Sequence, residues 1–155
     1  MVIVTSLMTT FNSSSLNLSI PNIEAEFGVS AQLIGWVVTI YALASVSLSI
    51  PFGKIADITD RVRVLRTGVV LFGIGVGLCL FSVNFTMFML CRLLQGIGAA
   101  MIFATSNAIL IGAFDISERG KMLGLSICAT YIGLSTGPVV GGLVNSLFGW
   151  RAVMM

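Results

Sequence analysis

The feature that most constrains this chain is where its charges are missing. Five stretches carry no Asp, Glu, Lys or Arg: residues 1–23, 27–53, 67–91, 93–114 and 122–150, which are 23, 27, 25, 22 and 29 residues long. A helix rises 1.5 Å per residue, so about 20 residues cross the roughly 30 Å of hydrocarbon in a bilayer. Each stretch can therefore span once, and the pattern predicts helices at about 3–21, 33–52, 66–82, 86–112 and 122–146. Strands of a membrane barrel would be about ten residues of alternating character. These stretches are about twice that length and continuous, so the expected class is an all-α membrane protein.

Composition removes the alternatives. Charged residues are 9% of the 155 and the AVILMFWYC set is 57%; about 25% charge is usual in a soluble domain. Eight basic and six acidic residues cannot cover the wet surface that a soluble chain of this size retains. The chain has no histidine, which excludes serine-histidine and cysteine-histidine nucleophiles and any histidine metal site. Cys79, Cys91 and Cys128 stand 12 and 37 residues apart, a spacing that fits neither a metal knuckle nor a redox pair, and they read as packing residues. No enzyme activity, cofactor or metal is expected. The net charge of +2 sits in loops rather than on a broad basic face, so no nucleic-acid partner is expected. The first ten residues carry no basic charge and do not resemble a cleavable leader. Gly73-Ile-Gly75-Val-Gly77 lies inside an apolar run with no strand before it, which favours helix packing over a dinucleotide loop.

Orientation follows from the basic residues. Lys54, Arg61, Arg63 and Arg66 follow the second span, and Arg119 and Lys121 follow the fourth. The loops after the first and third spans carry none, if Arg92 lies in the membrane. The positive-inside rule then puts the N-terminus in the cytoplasm and Trp36 and Trp150 near the outer interface, where indole rings favour the headgroup level.

Four segments carry more than hydrophobicity. The loop Gly53-Lys-Ile-Ala-Asp57-Ile-Thr-Asp60-Arg61-Val-Arg63 has a glycine that would admit a close approach of helix ends. It also has an Asp57 that would cap or pair with the next helix, and an Arg61 that would bond carbonyls or a carboxylate. Asp60 holds its turn, a residue that tolerates a left-handed backbone better than most. In Arg92-Leu-Leu-Gln95-Gly96-Ile-Gly98-Ala99, residues 92, 95, 96 and 99 share one helix face. If the helix begins near Thr86, Arg92 lies about 9 Å deep, where an unpaired guanidinium costs roughly 2.5–3.5 kcal/mol. If it begins later, Arg92 snorkels at the boundary.

The third segment, Gly133-Leu-Ser-Thr-Gly137-Pro138-Val-Val-Gly141-Gly142, places glycines four apart to form one groove, and Pro138 removes a backbone donor and permits a bend. The fourth is the first span itself. It is rich in Ser, Thr and Asn, and Asn12 and Asn17 call for a helix interface or a wet cavity.

These segments, in this order, resemble the major facilitator superfamily. Gly53, Asp57 and Arg61 are similar to its motif between the second and third helices, Arg92, Gln95 and Gly96 to its fourth-helix motif, and Gly133, Gly137, Pro138, Gly141 and Gly142 to its fifth-helix antiporter motif. Asn17 and Pro21 match the first-helix pattern of the fourteen-helix drug:proton antiporters, whose aspartate is Asn12 here, a residue that bonds but carries no proton. The resemblance implies the incomplete N-terminal half of a carrier, with a sixth helix beginning near Trp150-Arg151 and a C-terminal half missing. It further implies a multi-pass protein of the plasma membrane that exports a small molecule by alternating access, driven by protons. Arg92 would be the membrane-embedded charge, Asn12, Asn17 and Gln95 would line the cavity, Asp57 and Arg61 would belong to a cytoplasmic gate, and the α-helical Gly-Pro groove would be a hinge. No membrane-buried position holds a carboxylate, so a proton acceptor would sit in the missing portion. The competing class is a non-transporting membrane scaffold or assembly subunit whose glycine seams serve packing.

Overall fold

The computed structural model describes residues 2–154 and is helical almost throughout. Five helices follow one another: α1 (Val2–Phe27), α2 (Ala31–Ile58), α3 (Arg61–Leu80), α4 (Phe85–Ala113) and α5 (Ile116–Phe148), with a 3-10 turn at Ala152–Met154. Among the described residues, Gln32–Ile58, Arg61–Leu80, Phe85–Ala113 and Ile116–Phe148 are long and apolar enough to cross a membrane. The α1 helix has the length, at 26 residues, but its hydroxyls and amides keep it out of that set. The expected sixth helix is represented here only by the 3-10 turn.

The helices run past the apolar stretches because polar residues form their ends. At 33 residues, α5 is about 50 Å long and must project beyond a bilayer core. The start of α3 lies at Arg61 rather than near 66, because Asp60 caps it: the carboxylate accepts from the Val62 and Arg63 N–H groups at 2.8 and 3.4 Å. Asp60 has φ −155°, an extended backbone, so the left-handed turn expected there is not formed. In the same way Asn84 caps α4 through the Met87 N–H at 2.8 Å. Gly149, at φ +81°, ends α5 with its N–H on the Asn145 carbonyl.

Short connections make successive helices antiparallel, yet the closest neighbours are not successive. The α1 helix packs along α5, and α4 lies between α2 and α3. Contact positions advance together along α1 and α5, from Leu7 beside Gly133 through Ser15 beside Gly141 to Asn22 beside Asn145, so those two helices are parallel. One apolar cluster (Leu16, Ile23, Val37, Phe88, Trp150) fills one end of the bundle, and another (Tyr41, Leu65, Phe72, Ala99, Ile102) fills its middle. Large apolar side chains also cover the outside, Val46, Ile50, Leu143 and Leu147 among them. An outer surface of that kind suits hydrocarbon rather than water.

Candidate functional site

Arg92 is the largest fully buried side chain among the described residues, at 1% exposure. It therefore does not snorkel. The cap at Asn84 starts α4 seven residues before it, about 10 Å along the axis. The guanidinium donates to Gln95 Oε1 at 2.6 Å and to the Val37 carbonyl at 3.4 Å, and it lies 4.6 Å from the centre of the Tyr41 ring. Gln95 passes the network on, donating to Cys79 Sγ at 3.3 Å. No carboxylate is paired with Arg92 among the described residues; it is held by dipoles and a π face.

Glycine makes this arrangement possible. A Cβ on Gly96 would come 2.7 Å from Ala44 Cβ and 2.8 Å from the Tyr41 carbonyl, so its absence brings α2 against α4 at the height of Arg92. Gly75 does the same on α3, where a Cβ would stand 2.7 Å from Gln95 Cγ. The helix face that Arg92 shares with Gln95, Gly96 and Ala99 is therefore met by a neighbouring helix. Gln95 is fully buried within the network and is not in the wall of the cavity beside Asn12. Val37, Tyr41 and Cys79 were not legible as site residues. Only Cys79 carried a signal, as a thiol in an apolar helix, and it read as packing.

The groove expected on α5 receives α1. Cβ atoms on Gly133, Gly137 and Gly141 would meet the Leu7 carbonyl at 2.7 Å, Ser14 Cβ at 2.8 Å and Ser15 Cβ at 2.5 Å. Gly142 lies off this line, where a Cβ would make an ordinary 3.6 Å contact with Leu18. Two hydroxyls cross the seam: Ser14 donates to the Leu134 carbonyl and Ser15 to the Gly137 carbonyl, each at 2.9 Å. The helix continues through Pro138 without a break. The polar face of α1 thus has α5 as its partner.

Asn12 lines a cavity of about 550 Å³ between α1, α3 and α4, with Thr5, Thr9, Phe72, Val76 and Val153 in its wall. Asn17 does not join it; it lies exposed on the other side of α1, because five residues turn a helix through well over one full turn. At the loop, Asp57 and Arg61 form an ion pair, with Arg61 Nη2 at 2.7 Å and Nε at 3.0 Å from one carboxylate oxygen. Arg61 also reaches the Ala108 carbonyl at 3.4 Å, tying the start of α3 to α4. Gly53 makes no close approach: its nearest neighbour would be Ala104 Cβ at 4.0 Å, ordinary contact.

A further cluster closes the opposite end. Glu26 pairs with Arg151 and accepts from the Trp150 indole, and Arg151 donates to the Ser82 carbonyl at 3.2 Å. Burial raises the Glu26 carboxyl, but the bonds from Trp150 and Arg151 outweigh it and hold the group below its ordinary value. Trp150 is 3% exposed and packs edge-on to Phe88, so it is a core residue rather than an interfacial anchor; Trp36 is 53% exposed. The adjacent Trp-Arg pair was the available signal for this clamp, and it read as the start of a helix.

Known proteins are similar to this chain in sequence and in fold. The family model of the Major Facilitator Superfamily matches residues 2–155. The riboflavin transporter RibZ of Clostridioides difficile is 35% identical over 148 residues, 96% of this chain and 32% of that protein. The multidrug resistance protein Stp of Mycobacterium tuberculosis is 32% identical over 139 residues, 89% of this chain and 26% of that protein. The methylenomycin A resistance protein of Bacillus subtilis is 29% identical over 96% of this chain and 32% of its own length. The chain therefore spans about a quarter to a third of the curated relatives it matches. In fold it is similar to a bacterial homolog of the human lysosomal transporter Spinster, in an inward-facing, unoccupied conformation: the TM-score is 0.86 at 18% identity, covering 99% of this chain and 38% of that one. With the matched residues spanning nearly its whole length, this integral, multi-pass membrane chain belongs to the Major Facilitator Superfamily.

Proposed function

We propose that the chain is the N-terminal part of a carrier that exports a small molecule by alternating access in the plasma membrane, driven by protons, with its N-terminus in the cytoplasm. The observation that carries this reading is Arg92, a guanidinium kept in the apolar interior of a superfamily bundle at a cost that packing alone does not repay. Two relatives named for resistance, Stp and the methylenomycin A resistance protein, support export; RibZ, named as a riboflavin transporter, widens the range of cargo. In this reading Arg92 and Gln95 form the buried polar centre and Asn12 faces the cavity. Asp57 with Arg61 braces the cytoplasmic end, and Gly133, Gly137, Pro138, Gly141 and Gly142 form the hinge groove of α5.

The remaining part of the carrier supplies the second wall of the path and the proton-accepting carboxylate, because Asn12 stands where the antiporter branch has aspartate. Riboflavin and a lipophilic cationic dye are the first cargoes to try in inverted vesicles carrying the full-length carrier. Flux that rises with an imposed pH gradient and collapses with a protonophore is the expected result. Flux indifferent to the gradient removes the proton coupling. No flux with either cargo, together with an unaltered cell phenotype on Arg92→Ala, favours the non-transporting scaffold.

A further inference from the structure

Proline at position 138 leaves α5 with a specific deficit. It has no N–H, so the carbonyl four residues earlier, that of Leu134, loses its helical donor in the middle of an apolar segment. An unsatisfied carbonyl in hydrocarbon is costly, and the helix alone has nothing to offer it. The structure places one hydroxyl on that carbonyl, and it comes from another helix: Ser14 of α1 donates to Leu134 O at 2.9 Å. Ser14 can reach because Gly137 has no side chain; a Cβ there would stand 2.8 Å from Ser14 Cβ and 3.1 Å from its hydroxyl. Ser15, the next residue, is a natural contrast. It bonds the Gly137 carbonyl, which already faces the Gly141 N–H along the intact helix.

We infer that Ser14 is a positioning residue for transport, its hydroxyl standing in for the amide that Pro138 lacks and thereby fastening the proline turn of α5 to α1. The consequence is mechanical. The turn most able to bend is satisfied only while α1 stays beside it, so α1 and α5 move as one body and the bend is set by their contact. A bend that carried Leu134 away from Ser14 would strand a carbonyl, which gives the seam one preferred geometry. This role rests on the transport reading above, while the bond itself does not.

The test is a double-mutant cycle in the full-length carrier, with flux measured in vesicles and the unfolding midpoint Tm measured in detergent. Pro138→Ala restores the amide within α5, so Leu134 O no longer needs Ser14. Ser14→Ala alone should lower maximal flux roughly three- to tenfold, with KM within about twofold and the membrane level unchanged, and should lower Tm. In the Pro138→Ala background the same substitution should change neither. Ser15→Ala supplies the specificity control, and its effect should persist with or without Pro138. The inference is overturned if Ser14→Ala behaves like the parent, if its effect multiplies with that of Pro138→Ala, or if Pro138→Ala suppresses Ser15→Ala equally well. Should the parent carry neither cargo while the Tm cycle is still non-additive, the bond stands and the transport reading falls. Flux that is present with an additive cycle rejects the role of Ser14 and leaves transport standing.

Discussion

Two seams hold this bundle together, and both depend on glycine, yet they treat polar groups in opposite ways. Along α1 and α5 the polar groups are many and weak: serine hydroxyls bond backbone carbonyls across the interface, and every partner is uncharged. Around α4 there is a single strong group, a guanidinium held by an amide, a carbonyl and a ring, with a thiol behind the amide. The polar helix builds a neutral seam, and the more apolar helix carries the charge. Dispersed hydroxyls bond carbonyls at small individual cost, whereas a buried charge costs several kcal/mol. The contrast predicts that losing one seam hydroxyl costs transport less than losing the buried charge.

The strongest way to break that division is to remove the charge. Arg92→Leu should reduce flux roughly a hundredfold, equivalent to about 2.7 kcal/mol. It should leave the amount of protein in the membrane intact or higher, because an arginine at depth disfavours insertion by roughly 2.5–3.5 kcal/mol. Flux per molecule, with protein quantified on the same vesicles, separates the outcomes. If the protein vanishes from the membrane, Arg92 is a strut and the contrast between the seams is wrong.

Glycine substitutions sharpen the comparison from the other side, because they should cost the same in both seams. A Cβ on Gly141 would lie 2.5 Å from Ser15 Cβ, and one on Gly98 would lie 2.6 Å from the Phe72 amide nitrogen; the second clash is with backbone, which cannot rotate away. Gly141→Ala and Gly98→Ala should each destabilise the protein by about 1–3 kcal/mol as overpacked contacts. Gly142→Ala, with its nearest neighbour at 3.6 Å, should be near neutral in thermal unfolding. Equal tolerance at 141 and 142 would mean that α1 does not sit in the groove.

How much of this was legible in the sequence follows from the range of each signal. A charge-free run is local, so helix existence could be read directly, and a lone arginine in such a run marks itself. The capping role of Asp60 moved the start of α3 forward, because a side chain on two N–H groups decides a helix end more sharply than hydropathy does. Partners are a different matter. Val37 and Tyr41 reach Arg92 from α2, and Cys79 of α3 reaches its partner Gln95; nothing near them in the chain records that meeting. The fate of Asn17 was hidden for a related reason: the polar residues of α1 were visible as a set, but which face met α5 depends on the packing of helices more than a hundred residues apart.

A smaller effect belongs to the clamp that joins the ends of α1 and α5. Because the Glu26 carboxyl is held below its ordinary value in the folded protein, it stabilises the fold above the ordinary glutamate range, and that contribution is lost as pH falls through the lowered value. Glu26→Gln should therefore lower Tm at neutral pH, and the gap from the parent should close on acidification. Subtracting the two curves isolates Glu26 from the other carboxylates. A Glu26→Gln protein that matches the parent already at neutral pH would show that the indole bond, which glutamine can still accept, matters more than the charge.

The smallest effect on stability is expected at the opposite end, where Asp57 and Arg61 pair with 60% and 44% of their side chains exposed. Exposed pairs contribute about 0–1 kcal/mol, so Asp57→Asn should barely move Tm, and raised salt should erase even that difference. Arg61 does one thing more, since its second arm reaches the Ala108 carbonyl on α4. Arg61→Gln should then cost more than Asp57→Asn by the value of that contact, a few tenths of a kcal/mol at 3.4 Å. Flux is the sharper measurement. A large fall in flux with Tm unchanged would place this exposed pair beside Arg92 as a working charge, and the contrast between neutral and charged groups would extend to the end of the bundle where α2 meets α3. Equal and minor losses of both would leave it as a brace that fixes where α3 begins.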